Sequence, residues 1–300
     1  MADTGVTGPA PRAGVIHDIG YRHYDGPRLG ARAIRRALYV ESARGAYGLG
    51  RSAKSKIMPL LILVAICVPP VIISVIASVT KLKDLPGDYT SYIIQTQALV
   101  ILFVGGQAPA SVSRDLRFRV TSLYFSRPLS RADYVGAKYA ALSTALFVLM
   151  AAPLTILFVG ALLAKIPIQH DAPNYLRSLA GAALTAVVLA GLGLLVASVT
   201  PRRGLGVAAV IAVLTVIGGV QAVLMGIAHD RGRDTFAGYS ELLSPFSLVH
   251  GVQHAVFGAP SVLPASPPGA TGGAVFVVVL VAVVAASYGA LVLRYRKVSI

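Results

Sequence analysis

Residues 111–138, SVSRDLRFRVTSLYFSRPLSRADYVGAK, hold six basic residues (Arg114, Arg117, Arg119, Arg127, Arg131 and Lys138) and two acids, Asp115 and Asp133. Long, almost uncharged apolar runs lie on both sides. The stretch is a polar island between membrane spans, and the chain is organised around it. Pro128 ends any helix that precedes it, because it has no N–H to donate and restricts the residue before it. Ser130 and Asp133 have the spacing of a capping box, so a new helix is expected near Arg131, running on into the next apolar segment. The predicted form is a short helix, a turn and a helix start, a compact knob for a partner to grip. An ordinary basic loop obeying membrane topology rules has the same composition.

Composition sets the class. The 300 residues are 55% hydrophobic and 13% charged, with mean hydropathy +0.72, against roughly 25% charged in soluble proteins. The expected fold is therefore all-α and membrane-embedded. The 27 Lys/Arg outnumber the 12 Asp/Glu, yet they flank apolar runs instead of forming a continuous, aromatic-studded surface. Lipid headgroups and topology explain them, and nucleic acid is not expected as a partner. The lone cysteine, Cys67, lies inside an apolar run and excludes an intrachain disulfide framework or cysteine metal cluster. The first 56 residues lack the apolar core and cleavage site of a signal peptide. Arginine over lysine and abundant alanine hint at a GC-rich bacterial genome.

Residues 1–30 read as a cytoplasmic leader, disordered over the Pro/Gly-rich 1–13 and loop-like thereafter. A helix is expected over 31–47. At 100° per residue, Arg28, Arg32, Arg35 and Arg36 fall on one side and Ala31, Ile34, Ala37 and Leu38 on the other, with Glu41 an imperfection in the apolar face. This is the pattern of an interfacial helix, the alternative being a short surface helix that never touches lipid. With its connector it fills 31–56, and the remaining 57–300 form a transmembrane domain. Six segments reach the roughly 20 residues a span needs: 57–79, 89–110, 136–164, 177–199, 204–228 and 274–293. Pro69 and Pro70 in the first and Pro153 in the third predict kinks whose freed carbonyls are met by neighbouring helices.

The segments 1–56, 111–138, 200–203 and 294–300 carry 21 of the 27 basic residues. The positive-inside rule then places both termini in the cytoplasm of a multi-pass protein. Of the outer loops only 229–273 is long. Its first part, 230–257, is apolar enough for short helices dipping into the outer membrane face, while 258–273 reads as an irregular linker.

Catalytic chemistry is sparse. The segment GLGRSAKS, residues 48–55, ends like a phosphate-binding loop, but Ala53 stands where the glycine before the lysine is required and no strand precedes it. His250 and His254 share a helical face, but no acid or cysteine adjoins them, Glu241 being the nearest acid; a structural or solvent-facing role is favoured over a metal site. No Asp or Glu lies deep in a span, which argues against proton-coupled carriers and intramembrane hydrolases. Gln95, Gln97, Gln107 and Gln221 are candidate pathway residues, helix–helix hydrogen bonding being the commoner use, and Gly181, Gly191, Gly193, Gly218 and Gly219 suggest close helix packing.

The lead helix, the six spans, the loop SRDLRFRVTSLYFSRPLSRADYVGAKY and the segment LLSPFSLVHGV before the last span together resemble permease subunits of type 2 ATP-binding-cassette (ABC) exporters. The leader GYRHYDGPRLG looks like the start of actinobacterial members, and Asp115 stands where many members have glutamate. The resemblance implies that 112–122 is a coupling helix seated in a cytoplasmic ABC ATPase. Arg114, Asp115, Leu116, Arg117, Phe118, Arg119, Arg127, Pro128 and Arg131 would contact that ATPase, and Arg32, Arg35 and Arg36 would lie on the interfacial helix beside it. It further implies a second copy or paralogue of the permease, ATP and magnesium held by the ATPase with no cofactor on this chain, and a bacterial plasma membrane location in contact with lipid. The rival readings are a membrane scaffold that recruits a cytoplasmic partner through the same loop, and an intramembrane enzyme, for which no catalytic pair is present.

Overall fold

The computed structural model describes residues 26, 29–80, 88–117, 124, 128–200 and 202–297, excepting the side chains at 114, 116, 117, 168 and 170. Most of the leader, and with it the reading of 1–30, lies outside the described residues. The capping box forms as its spacing predicts: Ser130 Oγ accepts from the Asp133 N–H at 3.1 Å and Asp133 Oδ2 accepts from the Ser130 N–H at 3.4 Å. Two orphan donors are thereby satisfied at the start of the 33-residue helix α5 (Arg131–Leu163).

The helix expected over 31–47 is α1 (Ala31–Ala46). Leu38 is buried and Ile34 packs on the core, while Arg32, Arg35 and Arg36 are exposed. Two tyrosines fasten it to α5: Tyr39 OH pairs with Thr144 Oγ1 at 2.9 Å and Tyr47 OH donates to Ala145 O at 2.7 Å. The turn into α2 (Ala53–Thr80) requires Gly48, at φ +69° and with Ser55 O 2.6 Å from where a Cβ would sit.

Beyond α2 the order is α3 (Tyr89–Gln95), α4 (Gln97–Arg117), α5, α6 (Ile168–Val199) and α7 (Arg203–Asp230). Then come α8 (Asp234–Ser240), a 3-10 turn (Glu241–Leu243), α9 (Pro245–Phe257) and α10 (Gly269–Lys297). Among the described residues five helices are long and apolar enough to cross a membrane, and α3 with α4 makes a sixth span if the pair is counted as one. The fold is an all-α integral membrane bundle. Helices α5 and α6 form its centre, with 44% and 56% of their most apolar windows buried, against 22%, 17% and 22% for α2, α7 and α10. The outer three present apolar faces, Val71, Val75, Val216, Val223 and Val278 among them, to lipid or to another chain.

The second span departs from the continuous helix expected over 89–110. It bends by 57° at Thr96. Thr96 Oγ1 donates to Tyr92 O at 2.8 Å, so the hydroxyl serves a carbonyl at the break. Helices α2 and α5 both continue through their prolines. Pro70 has no N–H for Ile66 O, and Tyr92 OH donates to that carbonyl instead, the compensation by a neighbouring helix that the sequence calls for. Short helices form within 230–257 as expected, but the linker ends earlier than predicted, since α10 already begins at Gly269.

The glycines divide. A Cβ on Gly181, Gly191 or Gly193 would run into Gln253, Ser287 and Tyr139, or Val104 respectively, whereas Gly218 and Gly219 face open space and are not close-packing positions within the chain. Gly191→Ala is expected to cost about 1–3 kcal/mol through overpacking, seen as a lower melting temperature in detergent, while Gly218→Ala leaves it unchanged or raised. Equal effects would contradict this packing.

Candidate functional site

The polar island meets the bundle most closely at Asp115. Helix α4 continues through Arg117, so 112–117, the first half of the expected coupling helix, is the end of the second span itself. Asp115 lies on this last turn and faces α5: its Oδ2 accepts from Tyr134 OH at 2.6 Å and lies 3.0 Å from Lys138 Nζ. Tyr134 and Lys138, four residues apart, share one face of α5. The ammonium also donates to Ser111 O at 3.1 Å, back on α4, and lies 5.6 Å from the Tyr134 ring centroid. Tyr134 packs in turn against Tyr124 and Tyr295, at 5.6 and 5.2 Å between centroids. The side chains of Lys138 and Asp115 are only 10% and 17% exposed, so their attraction is little screened by water.

Further contacts tie this end of the bundle together. Arg35 Nη1 meets Asp133 Oδ1 at 3.0 Å, joining α1 to α5. Arg131 Nη1 donates to Arg296 O at 3.0 Å, joining α5 to α10. Ser113 Oγ reaches Ala197 O and Thr200 O, each at 3.2 Å, joining α4 to the end of α6. Between α1, α4 and α5 lies a polar cleft of about 190 Å³, where Glu41, Arg51, Gln107, Asp115, Tyr124 and Lys138 converge. Glu41, an imperfection on the helical wheel, is part of this cleft.

Of the residues read from sequence as ATPase contacts, Asp115, Pro128 and Arg131 gather at this end, with Pro128 exposed. Phe118, Arg119 and Arg127 lie outside the described residues, as do the side chains of Arg114, Leu116 and Arg117. Sequence reasoning missed Lys138 as the partner of Asp115; its signal was a charge set inside the third apolar run. The four glutamines do not line one path. Gln95 and Gln97 are exposed and flank the break at Thr96. Gln107 is buried beside Met58, and Gln221 is buried where it accepts from Ser247 Oγ at 3.1 Å.

A second polar cluster occupies the opposite end. His250 Nδ1 lies 3.5 Å from Glu241 Oε2, with both side chains buried, and His250 Nε2 accepts from the Val262 N–H at 3.2 Å. The ring is thereby fixed with its proton on Nδ1, facing the carboxylate. His254 Nδ1 instead donates to Ala259 O at 2.8 Å, so the two histidines serve different partners. Glu241 is thus the acid partner of His250, which sequence reading had left without one. No group of three or more metal ligands occurs among the described residues. Glu241 Oε1 is buried without a hydrogen-bond partner, and burial pushes its carboxyl above the ordinary 4.5, against the smaller opposing effects of His250 and His254.

The structure is a membrane-type bundle whose second and third spans are tied together at one end by Asp115, Tyr134 and Lys138. Residues 110–299 match the family model for ABC-2 family transporter protein, and the chain belongs to that family. It is a membrane permease component of an ABC transporter, a class that associates with an ABC ATPase. No curated protein matches the chain.

Because the Glu241 carboxyl is raised in the folded state, folding favours its protonated form. Its contribution to stability is full below the ordinary 4.5 and is lost as pH rises through the raised folded value. Glu241→Gln keeps an acceptor for His250 Nδ1–H without the charge. It is expected to flatten the fall in melting temperature toward alkaline pH, while Glu241→Ala, which leaves the imidazole N–H unpaired, costs about 1–3 kcal/mol. Identical pH profiles for wild type and Glu241→Gln would contradict the assignment.

Proposed function

We propose that the chain is the permease of an ATP-driven exporter in a bacterial plasma membrane. It pairs with a second copy or close paralogue, and a separate ATPase docks on the 111–138 loop. The observation that carries this reading is the clamp of Asp115 by Tyr134 and Lys138. It makes the end of α4 and the start of α5 one mechanical unit, so force applied to the loop moves both helices together. The basic residues at this end support a cytoplasmic position for the loop and both termini. ATP and magnesium belong to the ATPase, and Arg114, Arg117, Arg119, Arg127 and Arg131 supply complementary charge to it. Asp115 faces inward, which suits a positioning role better than a contact with the partner.

The cargo is apolar in this reading. A cleft of about 570 Å³ between α2 and α5 is lined by Val71, Val75, Ile156, Val159 and Leu163, with Ser74, Ser78 and Thr155 as its hydroxyl groups. Such a surface suits a drug, a lipid or a hydrophobic peptide. The weakly buried α2 and α7 are the faces available to the second permease.

Lys138→Gln tests the clamp. The change leaves a mostly buried carboxylate with Tyr134 alone, a loss of about 1–3 kcal/mol. The variant is expected to insert and retain its ATPase, while ATP hydrolysis by the reconstituted assembly falls about tenfold relative to wild type. Wild-type hydrolysis with the ATPase still bound would contradict the proposal.

A further inference from the structure

Helices α1 and α10 both lie against α5 near its start, and a groove of about 460 Å³ remains between them. Its mouth holds Arg32, Arg35 and Arg36 from α1, and its floor is the small-residue face of α5, Ala132, Gly136, Ala137 and Ala140. Tyr39 and Tyr288 form the walls, held by Thr144 Oγ1 and by the Ala132 carbonyl, which accepts from Tyr288 OH at 3.2 Å.

The charges do not balance. Asp133 is the one acid among the described lining residues, and it is already occupied: Oδ1 by Arg35, Oδ2 by the capping box. Arg32 and Arg36 are exposed and reach no carboxylate among the described residues. Among the described residues, two guanidinium groups thus remain uncompensated over a floor of Ala132, Gly136, Ala137 and Ala140, which carry no charge themselves and lead into the spanning part of α5. Guanidinium groups favour bidentate pairing with phosphate, tyrosines favour the layer between lipid headgroups and tails, and a wall of small residues leaves room for a hydrocarbon chain beside the helix.

We propose that this groove is a binding site for one anionic phospholipid, its phosphate held by Arg32 and Arg36 and one acyl chain laid along Gly136 and Ala140. A bound lipid of this kind would join α1 to α5 and α10 at the same end of the bundle as the Asp115 clamp. The inference rests on α1 lying in the headgroup layer and not on ATPase docking or on the direction of transport. An acidic protein surface would satisfy the arginines but would have no use for the apolar floor, which favours the lipid.

The test uses the full chain extracted from vesicles of phosphatidylcholine and phosphatidylglycerol at 3:1, with retained lipid counted by native mass spectrometry. Wild type is expected to retain phosphatidylglycerol preferentially. Arg32→Gln with Arg36→Gln lowers that preference about tenfold, at roughly the effect of two basic residues near a charged surface. Arg44→Gln with Lys54→Gln, equal in charge change, leaves it intact. Gly136→Leu, built where an added Cβ meets only Tyr288 OH at an ordinary 3.6 Å, fills the floor and also lowers retention. Unchanged retention in the Arg32/Arg36 variant would overturn the proposal. So would retention that survives Gly136→Leu but is displaced by inorganic phosphate, which would mark a free-anion site. Loss of ATPase co-purification in the Arg32/Arg36 variant with lipid retention unchanged would mark a protein-docking surface and overturn it as well.

Discussion

Asp115 sits at the last turn of one membrane helix with its charge committed to the first turns of the next, and the geometry of the whole loop end follows from that commitment. A carboxylate so little exposed is stable only if its lone pairs are met. Tyr134 and Lys138 both meet its Oδ2 from a single face of α5. Lys138 in turn spends a donor on Ser111, closing a ring of polar contacts that crosses from α4 to α5 and back. Around this ring lie three linkages, Arg35 to Asp133, Arg131 to Arg296 and Ser113 to the end of α6, each joining a different pair of helices. The loop therefore departs from a braced platform, as a surface must if binding energy there is to move helices instead of bending a flexible tether.

The same rule, that polar groups away from water need partners, shapes the rest of the bundle. Pro70 leaves Ile66 O without its helical donor, and a tyrosine from the broken second span supplies one. Thr96 lies at the break in that span, and its N–H and its hydroxyl both donate to Tyr92 O. At the far end, Glu241 and His250 join the 3-10 turn, α9 and the following linker through the Val262 N–H, and the carboxylate retains one unmet oxygen. The two ends thus differ in kind. One is an ion pair in which a tyrosine and a lysine share a single carboxylate oxygen, and the other is an acid whose charged form burial disfavours.

Much of this was legible in the sequence. Spans show themselves because about 20 apolar residues leave few alternatives, and α5 announced its start because the Ser130–Asp133 box is local chemistry complete within four residues. The amphipathic α1 was legible for the same reason: its two faces differ within three turns. Pairings across the bundle were not. Asp115 and Lys138 are separated by a loop, and nothing in either residue's neighbourhood says which helix face will meet which. Glu241 was visible as the acid nearest to His250, but only the turn between α8 and α9 brings the two within reach. The break at Thr96 was hidden because QTQ is too short to depress an otherwise apolar window, though three adjacent polar residues at mid-run were its signal. The four glutamines looked like one class by type, and the fold gives them three separate settings.

The central claim is that the braced 111–138 loop is where the ATPase takes hold. Crosslinking mass spectrometry on intact membranes carrying the full chain addresses it most directly. The account predicts a soluble partner bearing nucleotide-binding motifs, crosslinked within 111–138 and recovered in proportion to the permease. Crosslinks from such a partner to the opposite end, residues 231–268, or membranes in which no such partner is attached anywhere, would contradict it.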